Sequence, residues 1–160
     1  MTREAAVRFV EDIRRHGKII VFTNGVYDLL HPGHVRYLKA ARALGDALIV
    51  GVNSDRSVRA IKGPSTSLRP GPSRPITTEL ERAEILSALA CVDAAVVFDE
   101  DTPAEIIKAI QPDILVKGAD WAENAIVGRD TVEARGGRVV RMPIEAGWST
   151  SSIISRIAGR

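Results

Sequence analysis

The chain has 160 residues, of which 45% are hydrophobic and 26% charged, with a formal net charge of +2; that length and composition describe one soluble domain able to bury a single sizeable core. Near-neutrality leaves no electrostatic footprint for nucleic acid, and no apolar run approaches the ~20 residues of a membrane span. The single cysteine, Cys91, excludes an internal disulfide and suits a reducing compartment, so one cytoplasmic domain over residues 1–160 is expected, with neither nucleic acid nor membrane as partner.

Thr2 to His16 reads as a helix. Ala6, Val10 and Ile13 recur at spacings of four and three, and Gly17 stands where a C-cap belongs. This N-terminal segment, 1–17, is expected outside the sheet, with His16 solvated near the negative end of the dipole. Ile19 to Phe22 is an apolar strand. Val35 to Leu44 is an amphipathic helix that turns Leu38, Ala41 and Leu44 inward and is stopped by Gly45. Between strand and helix lies Thr23-Asn24-Gly25-Val26-Tyr27-Asp28-Leu29-Leu30-His31-Pro32-Gly33-His34. A strand–turn–helix junction aims free backbone N–H groups and the positive end of a helix dipole at whatever lies above, and phosphate is the usual guest. His31 and His34, three apart, face the same side of the first helical turn. Gly33 leaves room for a phosphate to approach the backbone. Zinc needs three or four ligands, and neither His16 nor Cys91 stands at ligand spacing, so no metal site built of protein ligands is expected.

Ala47 to Val52 is a second strand, apolar on both faces as a central parallel strand is. It ends in Asn53-Ser54-Asp55, which caps a helix through Val58 and Ile61. Residues 63–76 then break all regularity. They hold Pro64, Pro70, Pro72 and Pro75, and five basic residues (Arg56, Arg59, Lys62, Arg69, Arg74) with no acidic one run from Arg56 to Arg74. A long structureless stretch in a compact domain is functional or disordered; here it reads as a phosphate-facing lid. Thr78-Glu79-Leu80-Glu81 is a capping box for a helix through Ile85 and Leu89, with Cys91 beyond it as a buried, inert thiol. Ala94 to Phe98 is a third strand. Thr102-Pro103-Ala104-Glu105 reads as a second capping box with proline at the first helical position, and that helix ends before Pro112. Ile114-Leu115-Val116 is a fourth strand running into Lys117-Gly118-Ala119-Asp120-Trp121. A short helix follows over 128–135, and Gly136-Gly137 turns the chain. Val139, Val140 and Met142, flanked by Arg138 and Arg141, form a fifth, more exposed strand. Gly147-Trp148-Ser149-Thr150-Ser151-Ser152 opens the last helix, through Ile153, Ile154 and Ile157.

Strands alternating with helices predict an α/β fold: a Rossmann-like doubly wound parallel five-stranded sheet with helices on both faces. Ligands of such sheets bind beyond the carboxyl ends of the strands, at the switch point. Four polar segments fall at carboxyl ends, namely 23–34, Asn53 to Asp55, Lys117 to Trp121 and Trp148 to Ser152, and they predict one site.

The residues His31-Pro32-Gly33-His34, after a buried strand and with Asn24-Gly25 and Asp28 upstream, match the His-x-Gly-His signature of the nucleotidyltransferase (cytidylyltransferase-like) superfamily. Ser149-Thr150-Ser151 resembles that superfamily's second signature, in which backbone N–H groups and hydroxyls at a helix start hold nucleotide phosphates. The likeness runs from about Lys18 to Ile157. Within the superfamily, five segments resemble the D-glycero-β-D-manno-heptose 1-phosphate adenylyltransferases, the ADP-heptose synthase domains: Thr23 to Gly25, Asn53 to Asp55, Phe98 to Pro103, Leu115 to Trp121 and Gly147 to Ser151. Glycerol-3-phosphate cytidylyltransferases share Asp120-Trp121 but usually carry an arginine where this chain has Ile144. Ser65 to Ser73 lengthen the basic loop relative to the heptose family.

The resemblance implies transfer of the adenylyl group of ATP to a sugar 1-phosphate. It implies His31, His34 and Lys62 as catalytic residues, and Lys62, Arg82 and Lys117 as ligands of phosphate or substrate. Asn24, Gly25, Val26, Tyr27, Asp28, Gly33, Asp55, Gly118, Asp120, Trp121, Gly147, Ser149, Thr150 and Ser151 would hold the nucleotide. Asp28 is expected to orient a histidine or approach a metal, and Trp121 to pack on the nucleotide. Mg2+ would arrive with ATP, and a homodimer or higher homo-oligomer is expected. Two alternatives stay open: a cytidylyltransferase for a polyol phosphate such as glycerol 3-phosphate, and a non-catalytic nucleotide-binding module.

Overall fold

In the computed structural model, which describes residues 1–63, 73–143 and 147–158, elements alternate along the chain. They run α1 (Arg3–Arg15), β1 (Ile20–Gly25), α2 (Pro32–Arg42), β2 (Ala47–Asn53), α3 (Asp55–Lys62), α4 (Glu79–Ser87) and β3 (Ala94–Phe98). Then follow α5 (Ala104–Ile110), β4 (Ile114–Gly118), a 3-10 turn (Glu123–Ala125), α6 (Arg129–Glu133), β5 (Arg138–Met142) and α7 (Thr150–Ile157). Among the described residues the strands form one sheet in the order β3-β2-β1-β4-β5, every pairing parallel. The chain steps outward from β1 through β2 to β3, then returns to place β4 on the other side of β1. That reversal makes β1 and β4 the switch point.

Alternation along each strand builds two cores. Ile20, Phe22, Ile49, Val96 and Leu115 face Ala6 and Val10 of α1, Ile106, Ile107 and Ile110 of α5, and Val132 of α6. Val21, Leu48, Val50 and Val116 face Leu38 and Ala41 of α2 and Ala83 and Leu86 of α4. Helices therefore cover both faces, and β2 is buried along its whole length. Among the described residues no helix is long and apolar enough to cross a membrane.

The predicted elements all form, with changes at their ends. β1 runs on to Gly25, so the turn starts later than the apolar run implies. α2 starts at Pro32 rather than near His34, because His31 itself caps it. α2 also ends earlier, at Arg42, and Gly45 acts by close approach instead of as a stop. A Cβ there would lie 2.7 Å from Val21 Cγ2 and 2.9 Å from the Ile19 carbonyl oxygen. The capping box of α4 forms as predicted, between Thr78 and Glu81. The one read at Thr102 does not. α5 begins at Ala104 with Pro103 as its N-cap and no side-chain cap bond, which leaves Thr102 one position too far out. Ile61, Ile85 and Ile157 point to solvent, and Cys91 is half-buried instead of buried.

Candidate functional site

The carboxyl end of β1 delivers the chain into a tight, buried turn. Tyr27 there has φ 51, a left-handed conformation that costs a non-glycine residue roughly 1–2 kcal/mol. The strain aims its buried ring edge-on at His34, with centroids 5.3 Å apart and planes at 65°. His31 N-caps α2, its Nδ1 accepting the His34 backbone N–H at 3.3 Å. A capping Nδ1 is an acceptor, so neutral His31 carries its proton on Nε2. The two imidazoles stack at 3.7 Å and 19°.

Burial holds His31 below the usual histidine range. Burial, and then the neighbouring His31, push His34 down to about 4. Both rings are therefore neutral at pH 7 before any ligand arrives. His34 Nδ1 is buried with no hydrogen-bond partner among the described residues. Such an orphan is costly and is typical of a functional centre.

Across from this turn, Ser149 caps α7 in a reciprocal box with Ser152. Two helix N-termini thus open on the same cavity of about 770 Å³. Gly33 is what lets them meet: a Cβ there would lie 3.1 Å from His31 Nδ1 and 3.2 Å from Trp148 Cβ. The Trp148 ring lies nearly parallel to His31, with centroids 6.5 Å apart.

The cavity brings together most of the predicted residues: Asn24, Gly25, Val26, Tyr27, Asp28, His31, Gly33, His34, Gly118, Asp120, Trp121, Ser149, Thr150 and Ser151. Trp121 is 52% exposed, a site-facing ring rather than a core one. Trp148, from the predicted segment Trp148 to Ser152, lines it as well, and so do Arg36, Tyr37, Ala40, Met142 and Pro143, which were not predicted. Helical spacing carries the signal for part of that set, since Tyr37 and Ala40 stand four and seven residues after Gly33 and share its face.

Other predicted residues lie elsewhere. The segment Asn53 to Asp55 turns away from the cavity. Asn53 Nδ2 donates to Ser57 Oγ at 2.8 Å, Ser54 caps α3, and Asp55 pairs with Arg82 at 2.7 Å. Arg82, 1% exposed, is buried away from the cavity lining. Its guanidinium also donates to the carbonyls of Val26 at 2.6 Å and Thr77 at 3.1 Å, bracing the turn from behind. A guanidinium so enclosed is committed to the carbonyls and carboxylate around it.

Asp28 does not orient a histidine. Its buried carboxylate pairs with Arg74 and accepts N–H bonds from Ile76 at 2.7 Å and Thr77 at 3.0 Å. That leaves it little capacity for a metal and pins the 73–77 strip against the site, with Arg74 on the cavity wall. Lys117 is buried and donates to Asn24 Oδ1. Gly147 precedes Trp148 with φ 89, off the cavity lining. Lys62 is the last residue of α3. The lid reading and the lengthened stretch Ser65 to Ser73 fall largely on 64–72, outside the described residues, as does Ile144.

A family model described as Cytidylyltransferase-like matches residues 22–156. The bifunctional protein HldE of Syntrophotalea carbinolica is 53% identical over 158 residues, which is 99% of this chain and 31% of that protein. The HldE of Citrifermentans bemidjiense is 55% identical over 141 residues, 88% of this chain and 27% of that protein. The chain thus spans less than a third of the length of these curated relatives. Among solved structures, the lipopolysaccharide core biosynthesis protein from Thermoplasma volcanium superposes with a TM-score of 0.64 at 30% identity, covering 81% of this chain and 98% of that one. A protein of unknown function from Archaeoglobus fulgidus, at 21% identity and TM-score 0.56 over 82% of this chain and 93% of that one, shares the fold.

Proposed function

The chain belongs to the cytidylyltransferase-like family, and on that premise we propose that it transfers the adenylyl group of ATP to a sugar 1-phosphate, D-glycero-β-D-manno-heptose 1-phosphate, giving ADP-heptose and pyrophosphate. The observation that carries this is the stacked pair His31 and His34 at the start of α2, opening on one cavity with Ser149 to Ser151 at the start of α7. The heptose acceptor rests on the likeness to HldE proteins and to a lipopolysaccharide core biosynthesis protein.

In this reading an oxygen of the sugar 1-phosphate attacks the α-phosphorus of ATP in line. A P–O bond forms to the acceptor, the α–β bridging bond breaks, and pyrophosphate leaves. The nucleophile is already an anion, since a phosphate monoester has its second pKa near ~6, so neither histidine serves as a base. Neutral His31 and His34 instead donate hydrogen bonds to charge growing on the α-phosphoryl oxygens and the leaving group. One such preorganised donor is worth roughly 3–4 kcal/mol. The N–H groups and hydroxyls of Ser149, Thr150 and Ser151 hold the phosphate chain, with the dipoles of α2 and α7 adding to them. Lys62 supplies a cation, and Trp121 packs on the nucleotide.

Among the described residues no group of three or more His, Cys, Asp or Glu is arranged to hold a metal ion, and Asp28 is spent on Arg74 and backbone N–H groups. That donor set suits magnesium entering as MgATP, bound through phosphates. The reading also includes one cytoplasmic domain over 1–160 and a homo-oligomer.

The test is a matrix of ATP, CTP, GTP and UTP against heptose 1-phosphate, other sugar 1-phosphates and glycerol 3-phosphate, followed by pyrophosphate release and product mass. ATP with heptose 1-phosphate is the expected pair. Turnover confined to CTP with a polyol phosphate would replace the reading by a cytidylyltransferase. ATP binding with no pyrophosphate under any condition would replace it by a non-catalytic module.

A further inference from the structure

β1 and β4 meet at the switch point, yet their ladder registers only Val21 with Ile114 and Phe22 with Leu115. Counting on along both strands brings Asn24 opposite Lys117, two residues past the last backbone pair. There a side-chain bond takes over, Lys117 Nζ donating to Asn24 Oδ1. Lys117 is 8% exposed, and burial draws its ammonium down to about 8. Among the described residues no carboxylate pairs with it. Asn24 borders the cavity and Lys117 does not.

An ammonium offers only donors, and a side-chain amide has a single acceptor oxygen. The lysine therefore decides which way the Asn24 amide lies: Oδ1 toward Nζ, and Nδ2 left with both hydrogens. Nδ2 has no partner among the described residues. The ammonium also polarises the amide that it holds, which strengthens the N–H donors at the other end. We infer that Lys117 is a positioning residue that presents the Asn24 amide N–H2, charge-assisted, to an anionic oxygen of the bound nucleotide. This rests on the nucleotide site proposed above.

The experiment measures ATP affinity by calorimetry, and turnover beside it, for wild type, K117M, K117R, N24A, N24D and the K117M/N24A double variant, with thermal melts as the fold control. K117M and N24A are each expected to weaken ATP binding or kcat/KM roughly ten- to hundredfold. The double variant should lie within about threefold of the worse single one, because the two residues act as one unit. K117R keeps a charged donor and should recover part of the loss. N24D is the decisive variant. Its carboxylate binds Lys117 at least as well and keeps the strand ends joined, but it turns an acceptor toward the phosphates, so it should bind ATP more weakly than N24A. A purely structural role for Lys117 requires N24D to bind as wild type does, and that result overturns the inference even if K117M fails to fold. Losses that multiply in the double variant also overturn it, since Lys117 would then act without Asn24. Wild-type protein that binds no nucleotide would overturn both this inference and the proposed reaction. Wild type that binds ATP but transfers nothing would overturn the reaction alone.

Discussion

His34 concentrates the cost and the use of this site in one side chain. Its ring is pressed between Tyr27 and His31, and its pKa is pushed down to about 4. The linkage to stability follows. The unfolded chain takes up a proton at His34 near the ordinary value of ~6.5, while the folded chain refuses it until about pH 4. Stability is therefore fully present above pH 6.5 and is lost as pH falls through that window, by roughly 1–3 kcal/mol. Urea titrations at pH 7.5 and 4.5 should show this loss in wild type and a flatter dependence in H34N; an equal slope in both would mean that other groups carry it. Turnover is a separate matter. His34→Ala should cost roughly 10²–10³ in kcat with the fold intact, and activity within a few-fold of wild type would remove the histidine from the mechanism. Gly33 is set by distance. With a Cβ at 3.1 Å from His31 Nδ1 and 3.2 Å from Trp148 Cβ, Gly33→Ala must displace the ring or the α7 turn. A loss of about tenfold or more in kcat/KM is expected with little change in melting temperature, since a 1 Å misplacement suffices for such a loss.

At the level of elements, what was legible in the sequence and what was not divide along physical lines. Periodicity and caps are local, so Ser54 and Thr78 cap their helices as their types and spacing imply and Ser149 stands at the start of the last one, while Thr102, one position too far out, does not cap. The direction in which a charged side chain turns is not local. Asp55 and Arg82 both look like site residues in sequence, yet they pair with each other across α3 and α4, and Arg82 donates to the Val26 carbonyl from behind. That packing depends on how two helices meet, which no short window of sequence encodes. The distinction is measurable. Arg82→Met should destabilise the protein by roughly 2–4 kcal/mol, because it strands Asp55 and a buried carbonyl. If Arg82 held substrate instead, the same variant would lose affinity for a phosphate while its urea midpoint stayed near that of wild type.

For the molecule as a whole, the parallel sheet does two jobs of unequal stability. Its centre is a buried slab: β2 has no exposed residue, and α1, α2, α4 and α5 each bury side chains against it. The place of the cavity was legible from this, because a reversal of strand order puts a crevice beyond β1 and β4 wherever such a sheet is built. α7 stands apart. It buries no residue of its own, so little apolar burial holds it, and its start depends on the Ser149–Ser152 box. Elements with few buried contacts open locally at low cost. A nucleotide bridging the start of α2 and the start of α7 would add the contacts that α7 lacks, so binding energy would appear as order in this helix. Hydrogen exchange should therefore find the amides of 150–157 exchanging far faster than those of β1 and β2 without ligand, and slowing by about tenfold or more with saturating MgATP. Pyrophosphate alone should give a smaller effect in the same segment, as it offers the phosphate contacts without the nucleoside. Protection confined to α2, with α7 unchanged at saturation, would mean that the phosphates do not reach Ser149 to Ser151 and that the two helix starts do not act on one ligand.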